Sequence, residues 1–219
     1  MPNKRLTLTS FAALAALALA APAQAGGIYA GIGLPGVMVG YAHPLSPSVA
    51  LRADVATLGT HNANESESGI DYRATLKTSR TGLFADWFFS GGWRLTGGAT
   101  FNDMKLELEG RGNGGTITIG DNSYVAGPDD RFNVLIKFPR STPYVGLGYG
   151  HQAASPGWGF VFDAGASIGR AKVEGSVSGP TLSGNVSQAD IDKELADVRE
   201  GVGKVRFLPQ LSIGLTYRF

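Results

Sequence analysis

Apolar side chains recur at every second position along most of the chain, most strictly at its end. From Phe207 the odd positions are Phe207, Pro209, Leu211, Ile213, Leu215, Tyr217 and Phe219. Between them stand Gln210, Ser212, Gly214, Thr216 and Arg218, with Leu208 the exception. A period of two belongs to a β-strand with one apolar face. The same alternation occupies residues 37–42, 49–56, 82–89, 93–101, 132–138, 144–150 and 158–168. Short turns follow some segments, at Ser46-Pro47-Ser48, Ser90-Gly91-Gly92 and Pro139-Arg140-Ser141-Thr142. Longer polar stretches follow others, at residues 59–69 and 111–131.

Short turns alternating with long loops are the habit of antiparallel barrels that cross an outer membrane. The hairpin at Ser90-Gly91-Gly92 sharpens this. Leu83, Ala85 and Trp87 are odd, whereas Ile70, Tyr72, Ala74 and Leu76 are even. Trp93 to Phe101 are odd, whereas Met104, Leu106 and Leu108 are even. Both switches fall about ten residues from the turn, close to the ~9–11 residues of a tilted transmembrane strand. The reading is a lipid-facing part near the turn, a β-extension beyond the membrane, and one β-bulge in each arm. Trp87, Phe89 and Trp93 beside the turn, Phe101 at the far end and Trp158 on a later strand are the expected interface aromatics.

Residues 187–203 break the pattern. Ile191, Leu195, Val198 and Val202 follow a helical spacing; Ser187 and Asp190 form a capping pair, and Gly201 and Gly203 stand near the stop. A short amphipathic helix before the last strand is predicted, packed across a barrel mouth or lying at the interface. The strand count stays open. It is eight if residues 28–44 form one broken strand, and ten if Leu34-Pro35-Gly36 is a turn and residues 116–126 add a strand. Eight suits the length; the side on which the helix lies depends on the count. The fold class expected is all-β, a closed up-and-down transmembrane β-barrel.

Composition supports an exported, β-rich protein without staples, and leaves the choice between a soluble periplasmic β-protein and an outer-membrane barrel to the strand pattern. Lys4 and Arg5 precede an apolar run at residues 11–21, and Ala23-Gln24-Ala25 offers a small-residue cleavage site. That is a secretory signal peptide, cleaved after Ala25; the run is too short for a membrane helix, which needs ~20 residues. Residues 26–219 then form one barrel domain. Losing Lys4 and Arg5 takes the formal charge from +1 to −1, which argues against nucleic acid. Cysteine is absent, and glycine is frequent at 32 of 219 residues, about twice the usual share.

The chemistry is sparse. Gly31-Ile32-Gly33-Leu34-Pro35-Gly36 spells a dinucleotide fingerprint, but strand pattern and prolines follow it where a helix is required. The glycines are read as allowing close strand approach or a bend. His43, His61 and His151 have no metal-site spacing, and none has a serine two positions on, the motif of the lipid A deacylases among small barrels. No enzyme, cofactor or metal is expected. The inward-facing positions are more informative: Arg52, Arg94, Lys137 and Arg218 against Asp54, Asp86 and Asp163. An eight-stranded interior is just wide enough for side chains to fill, so these charges are expected to pair as a network that plugs the lumen, or else to line a narrow polar path.

The signal segment, the alternating strands and the ending Leu211-x-Ile213-x-Leu215-x-Tyr217-x-Phe219 resemble small Gram-negative outer-membrane β-barrels. The stretches TPYVGLGYG and LSIGLTYRF look like those of OmpW-type and OmpA-type barrel domains. The resemblance implies an outer-membrane location, contact with membrane lipid, and assembly by the barrel-assembly machinery through Leu215, Tyr217 and Phe219. It leaves three roles: a structural or surface-interaction protein, a narrow channel for small solutes as in OmpW-type proteins, or a lipid-modifying hydrolase. A surface or solute ligand is not identified.

Overall fold

The computed structural model describes residues 26–67, 70–152, 156–202 and 206–219. The predicted signal peptide and its cleavage site lie outside these residues. Among the described residues twelve strands and two helices form: β1 Gly27–Leu34, β2 Gly36–Ser46, β3 Val49–Glu67, β4 Ile70–Ser90, β5 Trp93–Gly112, β6 Thr116–Ile119, β7 Asn122–Val125, β8 Arg131–Lys137, β9 Ser141–Tyr149, β10 Gly157–Ile168, β11 Lys172–Ser178, α1 Leu182–Asn185, α2 Gln188–Val202 and β12 Phe207–Arg218.

Eight of them close a ring. The order β5-β4-β3-β2-β1-β12-β10-β9 returns to β5 through the β5–β9 pairing, and each neighbour is antiparallel. The first and last described residues lie at one rim, where Phe219 N donates to Gly26 O at 3.0 Å. The turn residues 47–48 and 91–92 share that rim. The long β5–β8 connection and the two helices share the other.

The ring counts eight by a different route from the sequence reading. Pro35 is a turn, with Gly36 at φ 125°, so β1 and β2 are two strands. Residues 116–126 add nothing to the ring; β6 and β7 pair only with each other. Residues 139–142 are not a hairpin turn. β8 and β9 are two lengths of one strand line, both paired to β5 in a single register from Arg111↔Arg131 to Trp93↔Tyr149. Across the break, Phe138 N reaches Met104 O at 3.1 Å and Asn102 N reaches Arg140 O at 2.7 Å. Pro139 has no N–H to give the ladder, so the line kinks there and continues. Residues 59–69 are likewise mostly strand, since β3 runs to Glu67.

The parity switch has another cause than bulges in β4 and β5. Those strands pair without a slip from Ile70↔Gly112 to Phe88↔Arg94. A bulge sits instead in β3, between Thr57 and Gly59. The even residues of β4 and β5 face inward along their whole length. Within the ring that face is filled by polar groups and rings. Beyond it, β3, β4, β5, β8 and β11 continue as an open sheet whose same face turns apolar; a cap covers it at Ile70 and on β8 and β11, while Tyr72, Leu76 and Leu108 stay exposed. Ile70, Ile117, Ile119, Ala126 and Leu182 bury against one another, and Leu195 of α2 buries against Val134 and Val173.

The outside of the ring is predominantly apolar. Ile32, Val37, Leu51, Leu83, Leu95, Phe160 and Ile213 all point outward and are exposed, Val37 by 65%. Through the ring, the outward positions of the eight strands carry no Asp, Glu, Lys or Arg. A soluble monomer rarely exposes more than a few hundred Å² of contiguous apolar surface. Among the described residues no helix is long and apolar enough to cross a membrane.

Candidate functional site

Glycine and aromatic alternation builds the lumen. Tyr29 lies over Gly40, Phe84 over Gly82 and Gly98, Tyr144 over Gly146 and Gly165, and Arg94 over Gly148. A Cβ at any of these glycines would occupy the space of the neighbouring side chain. Phe84 and Phe88, which looked out of place on a polar face, are 5% and 8% exposed; their rings fill the interior. Phe84 meets Tyr144 edge-on at 4.9 Å and lies between two guanidiniums, with Arg52 at 5.0 Å and Arg80 at 5.5 Å from its centroid.

The charges meet around these rings. Asp86 accepts from Arg52 Nε at 2.6 Å and from Thr96 Oγ1 at 2.7 Å, and lies 3.5 Å from Arg94 Nε. Asp163 accepts from both Arg94 guanidinium nitrogens at 3.0 Å and from Arg52 Nη2 at 3.1 Å. Asp54 accepts from Arg80 Nη2 at 2.7 Å and from the Tyr29 hydroxyl at 3.1 Å. Arg80 also donates to Gln210 Oε1. From there hydrogen bonds continue through Ser167, Thr100 and Thr142 to Asn102. Three arginines thus face three aspartates, and formal charge cancels. The gap remaining among Arg52, Arg80, Phe84, Tyr144 and Asp163 is about 10 Å³, room for roughly one water molecule. At the rim with Gly26 and Phe219, His151 is buried, with its ring centroid 4.4 Å from that of Tyr29.

Of the residues read as interior charges, Arg52, Asp54, Asp86, Arg94 and Asp163 share this network. Lys137 does not. It stands on the outer face of β8 in the extension, 2.9 Å from Glu174, because the inner face there belongs to Val134 and Ile136. Arg218 lies at the terminal rim, its guanidinium over Gly159. Arg80 was missed, although its even number matches Phe84 and Asp86. Placing a bulge in β4 between Leu76 and Leu83 broke the parity that would have found it.

Trp87, Phe89, Trp93 and Trp158 are exposed near the terminal rim; Trp93 meets Tyr149 at 5.6 Å, and Trp158 meets Tyr217 at 5.3 Å. Phe101 is exposed toward the other end of the ring. Leu215, Tyr217 and Phe219 point outward, and Phe219 stacks near Tyr41 at 6.4 Å.

The cap is a second, polar assembly. Ser187 caps α2 by accepting from Asp190 N at 3.1 Å, and its hydroxyl donates to the Asp190 carboxylate at 2.6 Å. The same carboxylate accepts from Tyr124 at 2.5 Å and Asn122 at 2.8 Å, tying the helix to the β6–β7 hairpin. The Ser187, Tyr124 and Asn122 donors hold Asp190 below the usual carboxylate range. Asp130 is enclosed, which pushes its carboxyl up, but the N–H groups of Leu182, Gly127 and Thr181 outweigh that and hold it below its ordinary value. Among the described residues no cluster of His, Asp and Glu could hold a metal ion.

Two solved structures share this architecture. The crystal structure of Acinetobacter baumannii CarO aligns at TM-score 0.56 with 20% identity, over 88% of this chain and 97% of that one. The crystal structure of Acinetobacter baumannii CarO2 aligns at TM-score 0.57 with 20% identity, over 89% and 98%. At that identity the likeness is one of fold. No protein-family model and no curated protein matches the chain.

Proposed function

We propose that this chain is an integral outer-membrane β-barrel with a closed lumen, whose role is structural or surface-interacting and is carried by the capped extension. The uncharged outer belt supports the membrane reading. In such barrels short turns face the periplasm and long loops face outward, so the rim with Gly26 and Phe219 is periplasmic and the cap external. The lumen carries the functional reading: its three Arg–Asp balances and filling rings leave a gap of about 10 Å³ at their centre, too little for a solute to pass between them. The chain would be exported by its first 25 residues and handed to the barrel-assembly machinery through Leu215, Tyr217 and Phe219.

Planar-bilayer recording of the purified barrel tests the closed lumen. No steady conductance is expected, and a stable ohmic channel would sink the reading in favour of a solute pore. Location is read separately, by migration of outer-membrane fractions in detergent gels. The folded form should shift on boiling, and recovery of an unshifted protein in the soluble fraction would overturn the membrane reading.

A further inference from the structure

The outward face of the extension carries an arrangement that sheet stability alone disfavours. Lys77 of β4 stands opposite Lys105 of β5, Lys105 opposite Lys137 of β8, and Lys137 opposite Lys172 of β11. Four lysines on four adjacent strands form one row across ~14 Å, at ~4.8 Å per strand. Like charges directly opposite one another destabilise a sheet, so the row calls for a counter-charge. Nearby acids supply part of one. Asp103 is 2.5 Å from Lys77, Glu107 is 2.7 Å from Lys105, and Glu174 is 2.9 Å from Lys137. All three pairs are exposed at the surface, where such pairs contribute little and exchange readily.

Height on the barrel identifies what faces the row. Phe101, at the outer end of the apolar belt, lies four positions below Lys105 on the same face of β5. That is ~13 Å along the strand, and ~10 Å along a barrel axis from which strands tilt by 35–45°. Lysine stems reach several Å back toward the membrane, so the ammonium groups fall within the headgroup layer that flanks the hydrocarbon. Acids Glu107 and Glu174 form the next row outward, beyond the lysines, and Asp103, paired with Lys77, stands one row toward the membrane. The row ends at Lys172 in a cleft of about 560 Å³ where Arg170, Lys172 and Arg199 outnumber Glu174 and Glu200. Arg199 donates to Val173 O at 3.2 Å, which fixes α2 beside the β11 edge. Ile168, the last lipid-facing residue of β10, lies just below Arg170.

We propose that this row and its terminal cleft bind the phosphate groups of outer-leaflet glycolipid, seating the extension on the membrane surface. The inference rests on the outer-membrane reading and names its lipid contact. Charge complementarity and continuity with the apolar belt favour a lipid over a soluble anion: acyl chains would lie on the belt while phosphates meet the cations above.

The test uses the full folded barrel in neutral detergent, titrated with diphosphoryl lipid A, with lipid A lacking phosphates, and with inorganic phosphate, binding being counted by native mass spectrometry. Wild-type protein should retain the phosphorylated lipid preferentially, and inorganic phosphate at equal concentration should not displace it. The triple variant Lys105→Gln, Lys137→Gln, Lys172→Gln should lose at least tenfold, and up to ~100-fold given the usual contribution per basic residue near an anionic membrane surface. The corresponding Lys→Arg triple should recover the binding. Equal retention of both lipids, displacement by inorganic phosphate, or a Gln triple that binds like wild type would each overturn the proposal. Insertion into neutral phosphatidylcholine vesicles is measured in parallel. A protein that inserts but shows no phosphate preference refutes the lipid site and leaves the barrel standing; one that fails to insert refutes both.

Discussion

Replacing Asp86 by Asn changes one charge and almost no volume, at the most enclosed point of the lumen. The Asp86 side chain is 0% exposed, as is that of Arg94, and Arg52 is 3% exposed. The carboxylate serves both guanidiniums. After the change, Arg52, Arg80 and Arg94 face only Asp54 and Asp163, with one cation unbalanced and room for about one water. Charges ~4 Å apart at an effective dielectric near 20 attract by about 4 kcal/mol. Part of that is regained because the neutral amide has less desolvation to overcome. Breaking a buried pair by removing one partner typically costs about 3–5 kcal/mol, and the amide NH₂ must also face a guanidinium donor. The expected loss is therefore about 3–5 kcal/mol. Urea titration of the refolded barrel, read by migration of unboiled samples, should show the midpoint falling by roughly 1.5–2.5 M at an m-value near 2 kcal/mol/M. Lys77→Met removes a surface pair with Asp103 and should change stability by under about 0.5 kcal/mol. If Asp86→Asn costs under about 1 kcal/mol, the lumen is hydrated in solution and the argument for a plug fails.

Leu195→Ala should loosen the cap while sparing the ring, because Leu195 packs on Val134 and Val173 of the extension; the local cost is about 2–5 kcal/mol. Protease should then cut near residues 179–206 while the heat-dependent gel shift persists, and loss of that shift would contradict the separation. Acid should act on the same region. A carboxyl held low contributes stability above its ordinary range and loses it as pH falls through the lowered folded-state value; for Asp130, protonation frees the Gly127, Thr181 and Leu182 donors. Proteolysis of the cap should rise below that range in wild type, and Asp130→Asn should flatten the pH dependence; an unchanged profile would refute the assignment. Removing Phe219 takes away its stack near Tyr41 and its N–H bond to Gly26. Poor outer-membrane assembly is expected, and normal insertion of that truncation would contradict an assembly role for the C-terminus.

The strand alternation determined much by itself. It assigned faces to β4, β5, β9, β10 and β12, placed Asp86, Arg94 and Asp163 inward and Trp87, Trp93 and Trp158 outward, and located α2 with its Ser187 cap. These features are written in local periodicity, and a slip of one residue would turn every side chain to the wrong face. Tertiary structure decided what periodicity cannot express. Alternation says which residues share a face, not what covers it. Even residues in the outer half of β4 and β5 belong to the inner face of the open sheet, which the cap covers at Ile70 and leaves exposed at Tyr72, Leu76 and Leu108, and no local pattern distinguishes that from a bulge. Lys137 faces outward for the same reason, since its neighbours Val134 and Ile136 are drawn under α2. The join between β8 and β9 looks like a turn in sequence, with Pro139 and a polar run, yet β5 pairs continuously with both. Arg80 was hidden by that missing context. Its partners Asp54 and Gln210 are 26 and 130 residues away, and ring closure alone brings them together.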